Sequence, residues 1–187
     1  MARRSQSTDP RAIRLRESVK AAALDLVREK NVDDFNLNDL LARAGVSRQG
    51  FYEHFADRDD AVLHALIDDF GEAFARVDAE SDVRGLLRAL THSVDGQRAV
   101  YGHLRSAVVF DQIVDHWRTA MTPAVRRLVG ATSANMALEP EEVDTMVAFT
   151  VGGLVELLRV WLRSTHPISA GREADLLWAQ AQRSLLI

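Results

Sequence analysis

Two short amphipathic segments separated by a glycine form the clearest pattern in the chain, between residues 36 and 58. In the first segment, apolar residues recur at the spacing of one helix face: Leu37, Leu40, Leu41 and Ala44. We expect Asn36 to cap this helix and Gly45 to end it, because glycine adopts a left-handed conformation at little cost. Ser47 would then cap a second helix from Arg48 to about Phe55. The pattern predicts a helix-turn-helix.

Helical periodicity continues along the rest of the chain, and no strand alternation is present. We predict an all-α fold. An N-terminal arm and a three-helix helix-turn-helix domain would occupy residues 1–56, and a larger helical domain would occupy residues 57–187. The further helices are expected at about 10–30, 57–76, 83–94, 96–104, 107–129, 140–164 and 169–186, with a loop at 130–135.

The outward side chains of the second short helix suit contact with DNA. Arg48 and Gln49 lie in its first turn, where Arg can bind guanine and Gln adenine through two hydrogen bonds each. Gly50 leaves room for a close approach to the groove. The remaining candidates for DNA binding carry polar groups able to reach phosphates: Asn36, Ser47, Tyr52, His54 and Arg58. Many helical bundles contain a similar glycine turn, so ordinary packing stays an alternative from the pattern alone.

The segment AGVSRQGFYEHF at residues 44–55, followed by Arg58, resembles the signature of the tetracycline-repressor (TetR) family. Residues 22–30 resemble the first helix of that family, and the whole resemblance covers about residues 16–66. The family commonly has Ser or Thr where Gly50 stands and Gly where Asn31 stands. The resemblance implies a homodimeric one-component transcriptional regulator, usually a repressor, that binds a palindromic double-stranded DNA operator and is released by a small-molecule effector.

Composition and charge fit this interpretation. The first 58 residues carry eleven Lys and Arg against nine Asp and Glu, whereas the rest of the chain carries twelve against eighteen. A basic head joined to an acidic body is typical of nucleic-acid binding. There is no cysteine, no run of about 18 apolar residues and no signal-like apolar segment, so we expect a cytoplasmic protein that does not cross a membrane.

The last two predicted helices carry broad apolar bands. Gly152 and Gly153 lie in the middle of the first of them, where glycine lowers helix stability, and a close approach of another helix would offset that cost. Two such helices can form half of a four-helix interface about a two-fold axis. Packing within one chain is the alternative, and the family resemblance favours a homodimer.

An effector pocket, if present, would lie in the middle of the chain. Aromatic residues with a few polar groups are suited to line an apolar cavity. The candidates are Tyr101, His103, Phe110, Trp117, Met121, Phe149 and Trp161. Core packing explains most of these residues equally well.

A different class of function also needs consideration, namely an all-helical enzyme or metal-binding bundle without DNA binding. Asp111, Asp115 and His116 form its best candidate cluster, since the two carboxylates share a helix face. However, the chain lacks the Glu-x-x-His pairs of di-metal bundles, a phosphate-binding glycine loop and a nucleophile elbow. We therefore predict no enzyme activity, no metal site and no cofactor.

Overall fold

The computed structural model describes residues 9–75, 83–104, 108–133 and 138–185. No strand occurs in these ranges, and the predicted all-α class is confirmed. The predicted arm at residues 1–8 lies outside the described residues. The described helices are α1 (Pro10–Glu29), α2 (Leu37–Ala44), α3 (Arg48–Tyr52), α4 (Arg58–Ala75), α5 (Val83–Gly96), α6 (Arg98–His103), α7 (Val108–Ser133), α8 (Pro140–Arg163) and α9 (Ala170–Ser184).

The chain forms two compact units. The first contains residues 1–69 and 99–113, and the second contains residues 70–98 and 114–187. The first unit therefore includes a segment from the middle of the sequence as well as the N-terminal helices. The division after residue 56, between a DNA-binding and a ligand-binding domain, stays a prediction.

The core of the first unit forms where α1 packs against α2 and α3. Asp9 accepts a hydrogen bond from the Arg11 backbone N–H at 2.9 Å, and Pro10 occupies the first turn, so α1 begins where the sequence predicts. The apolar face of α1 is buried, as are the apolar residues of the helix-turn-helix. The buried set includes Val19, Ala23, Leu26, Val27, Leu40, Phe51 and Phe55.

In the second unit, α9 packs against both α5 and α8. Arg84 and Arg88 of α5 lie 3.3 and 3.4 Å from the carboxylate of Asp175 on α9, at the edge of the contact. Ser169 caps α9, since its hydroxyl accepts from the Arg172 backbone N–H. Eight residues of α8 are buried, which leaves its other side facing outward.

Two helix ends differ from the prediction. α3 ends at Tyr52, and a tight turn follows in which the His54 N–H donates to the Phe51 carbonyl at 3.0 Å. α7 runs through Pro123 to Ser133, so the loop predicted from residue 130 is wrong over residues 130–133. Buried Val129 anchors this last turn, and the Thr132 hydroxyl donates to the Leu128 carbonyl at 3.0 Å.

By length and composition, α8 is apolar enough to cross a membrane. However, 44% of its most apolar window is buried inside the described structure. Burial of this kind is typical of the core helix of a bundle, for which the same composition is needed.

Candidate nucleic-acid interface

The start of α2 is fixed by reciprocal capping. The Asn36 side-chain oxygen accepts from the backbone N–H groups of Asn38 and Asp39, at 2.8 and 3.2 Å. In return, the Asp39 carboxylate accepts from the Asn36 backbone N–H at 2.8 Å. This capping box satisfies donors that a helix start otherwise leaves without partners. Asn36 was predicted to contact DNA, and its side-chain oxygen here stabilises the helix.

The turn between α2 and α3 depends on Gly45. Its φ of 66° lies in the left-handed region, which side chains with a Cβ rarely adopt. In this conformation the N–H groups of Gly45 and Val46 both donate to the Leu41 carbonyl. The turn thereby provides donors for a carbonyl group at the end of α2 and directs the chain into α3.

The start of α3 is held from outside and from inside. The Ser47 hydroxyl accepts from the Gly50 backbone N–H at 3.1 Å, which caps the helix. On the inner side, Phe51 is fully buried and its ring centroid lies 5.3 Å from that of Phe55. Ser47, Arg48, Gln49 and Tyr52 consequently lie on the exposed side, with Tyr52 44% exposed.

Arg48 has a partner that the sequence did not predict. Its Nη2 donates to Oδ1 of Asn38 on α2 at 2.5 Å, and both side chains lie at the exposed surface. The two residues are ten positions apart, across the glycine turn. Only the placement of α2 against α3 brings them together, although a polar residue in the first turn of α2 was visible in the sequence.

Gly50 faces the protein. A Cβ built on it would lie 3.0 Å from Leu15 Cδ1 of α1 and 3.3 Å from the Ser47 hydroxyl. Because α3 approaches α1 closely at this point, the fold itself favours a residue without a side chain here, whether or not the helix meets DNA. Our expectation that Gly50 brings the helix nearer to DNA is accordingly not supported by its surroundings.

Arg58 is half-buried and tied to the backbone. Its Nη1 donates to the carbonyls of Val32 and Phe35, at 2.7 and 2.5 Å. Its Nε donates to Asp59 at 2.7 Å, and the guanidinium lies 5.4 Å from the Phe35 ring centroid. We predicted a phosphate contact for Arg58, but these contacts direct its donors to the loop before α2. His54, another predicted phosphate contact, is half-buried on the same unit.

The residues predicted to line an effector pocket are divided between the two units. In the first unit, Tyr101 and Phe110 are buried, and Nδ1 of His103 lies 2.6 Å from the Val27 carbonyl near the end of α1. In the second unit, Trp117 and Met121 are buried. Their role in effector binding stays a prediction.

Trp161, also a candidate for the pocket, takes part in a buried polar cluster in the second unit. Its indole N–H donates to the Ile168 carbonyl at 2.9 Å, and Arg98 stacks on its ring at 4.3 Å from the centroid. Arg98 Nη1 also donates to the carbonyl of Trp161 at 3.2 Å. Burial raises the pKa of the nearby Glu173 carboxyl, and the positive charge of Arg98 partly opposes this shift.

Phe149 is 72% exposed on α8, and its surroundings do not match a core position. It was predicted to line an effector pocket, and it lies on the side of α8 that faces away from the core of this chain. It borders an open cleft of about 550 Å³ between α8 and α9. The cleft is lined by Phe149, Thr150, Gly153, Leu154, Glu156, Leu157, Gln180, Ala181, Arg183 and Ser184.

Within the described residues, no three His, Asp or Glu side chains are grouped so as to hold a metal ion. Asp115, from the alternative metal cluster, pairs with Arg118 at 2.5 Å on its own helix. Burial lowers the pKa of its neighbour His116. Nothing in this part of the chain favours the metal-binding alternative.

Residues 20–65 match the family model described as bacterial regulatory proteins, tetR family. This range contains the second half of α1, the whole helix-turn-helix and the start of α4. The matched range includes the capped turn and the exposed first turn of α3, and it agrees with the resemblance found in the sequence.

Several solved structures share the fold over nearly the whole chain. A TetR transcriptional regulator from Streptococcus agalactiae 2603V has a TM-score of 0.66 at 15% identity, covering 92% of this chain and 96% of its own. The dihydroxyacetone kinase operon activator DhaS has a TM-score of 0.66 at 12% identity, covering 91% and 96%. A putative TetR-family regulator from Syntrophomonas wolfei str. Goettingen has a TM-score of 0.56 at 14% identity, covering 92% and 95%. At these identities the likeness establishes the fold.

Proposed function

We propose that this chain, a transcriptional regulator with the fold and the N-terminal domain of the tetR family, binds a palindromic DNA operator as a homodimer. The observation that carries this proposal is the exposed first turn of α3. Ser47, Arg48 and Gln49 stand outward there, above the fully buried Phe51. Helices of this kind insert their first turn into the major groove and read base edges with Arg and Gln side chains.

The outer face of α8 and α9 supports the homodimer. Phe149, Leu157, Val160 and Leu176 are 72%, 40%, 58% and 41% exposed, although each is a large apolar residue. Together with the cleft between the two helices, they offer an apolar face that a second copy can cover about a two-fold axis. Two α3 helices would then read the two halves of a palindrome, which one five-residue helix cannot do alone.

We further propose that a small-molecule effector releases the protein from DNA. An effector does so only if it binds one arrangement of the dimer more tightly than the arrangement that fits the operator. The all-helical second unit, with buried Trp117 and Met121, offers apolar material for such a site. We propose that the protein is located in the cytoplasm. We propose no membrane partner, because one side of α8 packs in the core and the other side would form the dimer interface.

Mobility shifts with the DNA upstream of the protein's own coding region test operator binding. We expect a sequence-specific complex whose affinity falls steeply as salt rises, because each phosphate contact releases counterions. Light scattering of the free protein and of the complex gives the number of chains. Absence of a salt-sensitive specific complex, or a strictly monomeric protein at high concentration, would overturn the proposal.

The sign of regulation needs its own experiment. We propose repression, in which the bound dimer blocks transcription. One protein of the same fold is named an operon activator, so the assay has to register both signs. A reporter placed behind the selected operator should rise when the gene for this chain is deleted, and a fall would indicate an activator.

A further inference from the structure

The contact between Arg48 and Asn38 connects the two helices of the helix-turn-helix at the surface that would face DNA. Arg48 Nη2 donates to Asn38 Oδ1 at 2.5 Å. Asn38 is the second residue of α2 and Arg48 is the first residue of α3, and both are exposed. An exposed arginine without a partner samples many rotamers, whereas this one has a defined acceptor.

Each end of this contact is held by its own local cap. The Asn38 backbone N–H donates to the Asn36 side chain at 2.8 Å, which fixes the start of α2. The Ser47 hydroxyl fixes the start of α3 through the Gly50 backbone N–H at 3.1 Å. The acceptor and the guanidinium therefore start from two rigid helix ends, and one hydrogen bond between them is enough to restrict the Arg48 side chain.

The acceptor is a neutral amide, although a carboxylate stands beside it in the sequence. The carboxylate of Asp39 is turned to the Asn36 backbone N–H at 2.8 Å, in the capping box. Arg48 consequently bonds to an oxygen that carries no net charge, and its positive charge is kept for a phosphate or a guanine. A guanidinium has five N–H donors, so four remain after one is given to Asn38. A two-bond contact to guanine needs only two of them.

Asn38 itself is poorly placed to read a base in the same state. An asparagine recognises adenine by using its side-chain oxygen and its amide together. One of the two lone pairs of the Asn38 oxygen already accepts from Arg48, which fixes the direction of the amide. Asn38 would thus contribute to recognition indirectly, by orienting the Arg48 side chain.

We infer that Asn38 is a positioning residue for DNA recognition, which orients the Arg48 guanidinium before the operator is bound. The inference rests on the proposed function, because it assigns a role within operator binding. Pre-orientation lowers the entropy lost on binding, since a side chain that is already restricted loses less freedom in the complex. It also favours one geometry of the guanidinium over others, and so favours one base at the position that Arg48 reads.

The test is a double-mutant cycle with Asn38→Ala, Arg48→Ala and the double variant, measured on operators that differ at single base pairs. Asn38→Ala should fold normally, because the site is exposed and alanine favours helix. We expect it to reduce discrimination at the base pair read by Arg48 by about two- to tenfold, in the lower part of the range for residues in contact. In the Arg48→Ala background the same substitution should have no further effect.

Two further variants make the outcome specific. Asn38→Asp keeps the acceptor, so it should restore discrimination at that base pair while weakening binding to every sequence through its negative charge. Asn31→Ala is the matched control, because exposed Asn31 also bonds through its side chain, to Asp34 at 3.0 Å, outside the helix-turn-helix. It should leave discrimination unchanged.

The results distinguish a failure of operator binding from a failure of the positioning role of Asn38. If the wild-type protein gives no specific complex, operator binding fails and the role of Asn38 fails with it. If the wild-type protein binds specifically but Asn38→Ala changes nothing, or reduces binding equally in the Arg48→Ala background, the positioning role alone is overturned.

Discussion

The guanidinium of Arg58 donates to the backbone carbonyl of Phe35 at 2.5 Å and lies 5.4 Å from the centroid of its ring. One side chain thus fastens the first turn of α4 to the residue just before the cap of α2. The same guanidinium nitrogen also donates to the Val32 carbonyl. The loop between α1 and α2 is therefore held by a residue more than twenty positions later.

This contact predicts that Arg58→Ala lowers the free energy of unfolding by about 1.5–3 kcal/mol, the range for hydrogen bonds to charged groups. The substitution also leaves two carbonyl groups without their donor. Denaturant unfolding of the whole chain measures the change. The control is Arg43→Ala, which removes an exposed two-bond ion pair with Glu29 and should lower stability by at most about 1 kcal/mol.

The opposite result would restore our original expectation for Arg58. If Arg58 serves DNA rather than the fold, Arg58→Ala leaves unfolding unchanged and reduces the salt dependence of operator binding by about one phosphate contact. Measuring both quantities on the same variant distinguishes the two roles.

A second prediction concerns Arg48, whose guanidinium faces outward from the first turn of α3. If it reads a guanine, Arg48→Ala should cost about 1–3 kcal/mol of binding at one base pair and relax the preference there. Competition with operators altered at single positions measures this cost. A loss of equal size on every sequence would instead make Arg48 a phosphate contact.

The local features of the interface were predictable from the sequence, because each depends on a few neighbouring residues. Asn36, Gly45 and Ser47 have the caps and the left-handed φ that their residue types predict. The closeness of Leu15 to the position of a Cβ on Gly50, and the hydrogen bond from Arg58 to Phe35, were not predictable. They depend on how helices far apart in sequence are placed against each other.

Phe149 illustrates a different limit of the sequence. Its aromatic side chain made it a candidate for an effector pocket, but the residue type does not show whether such a side chain faces a cavity, the chain's own core or another surface. The structure leaves Phe149 72% exposed, whereas Val147 and Val151 on the same helix are buried. Apolar residues on both sides of one helix are expected where that helix packs in the core and also meets a second surface.

A third prediction concerns pH and two carboxyl groups on α9. Burial raises the pKa of Glu173, so the folded state holds this proton more tightly than the unfolded state. Stability should therefore fall as pH rises from the ordinary value of 4.5 through the raised pKa. Glu173→Gln should remove this fall and raise the melting temperature at neutral pH relative to the wild-type protein.

Asp175, two residues later, gives a control of opposite sign. A hydrogen bond from Arg84 lowers its pKa, so its contribution is complete above the ordinary value of 3.8 and is lost as pH falls through the lowered pKa. Asp175→Asn should therefore lower the melting temperature at pH values above 3.8, and the difference from the wild-type protein should disappear as the pH falls through the lowered pKa. If both variants change the melting temperature at neutral pH in the same direction, burial of the Glu173 carboxyl is not the cause of its effect on stability.

The last prediction tests the outer face of α8 through Gly153. A Cβ built on this glycine meets no heavy atom within 4 Å, although the residue lines the cleft beside Leu157. Within a single chain, Gly153→Ala should therefore stabilise the helix by up to about 1 kcal/mol. Against a second copy packed on this face, the added methyl group has to displace atoms of the partner, at a cost of about 1–3 kcal/mol.

Gly153→Ala should thus raise the dimer dissociation constant about fivefold or more, as measured by sedimentation over a range of concentrations. Gly130→Ala is the matched control, because Gly130 is also helical, also has no heavy atom near a built Cβ, and lies on α7. It should stabilise the fold and leave the dissociation constant unchanged. If Gly153→Ala behaves in the same way as Gly130→Ala, this face of α8 is not the surface through which two copies meet, and the spacing of the two α3 helices has to be set by another part of the chain.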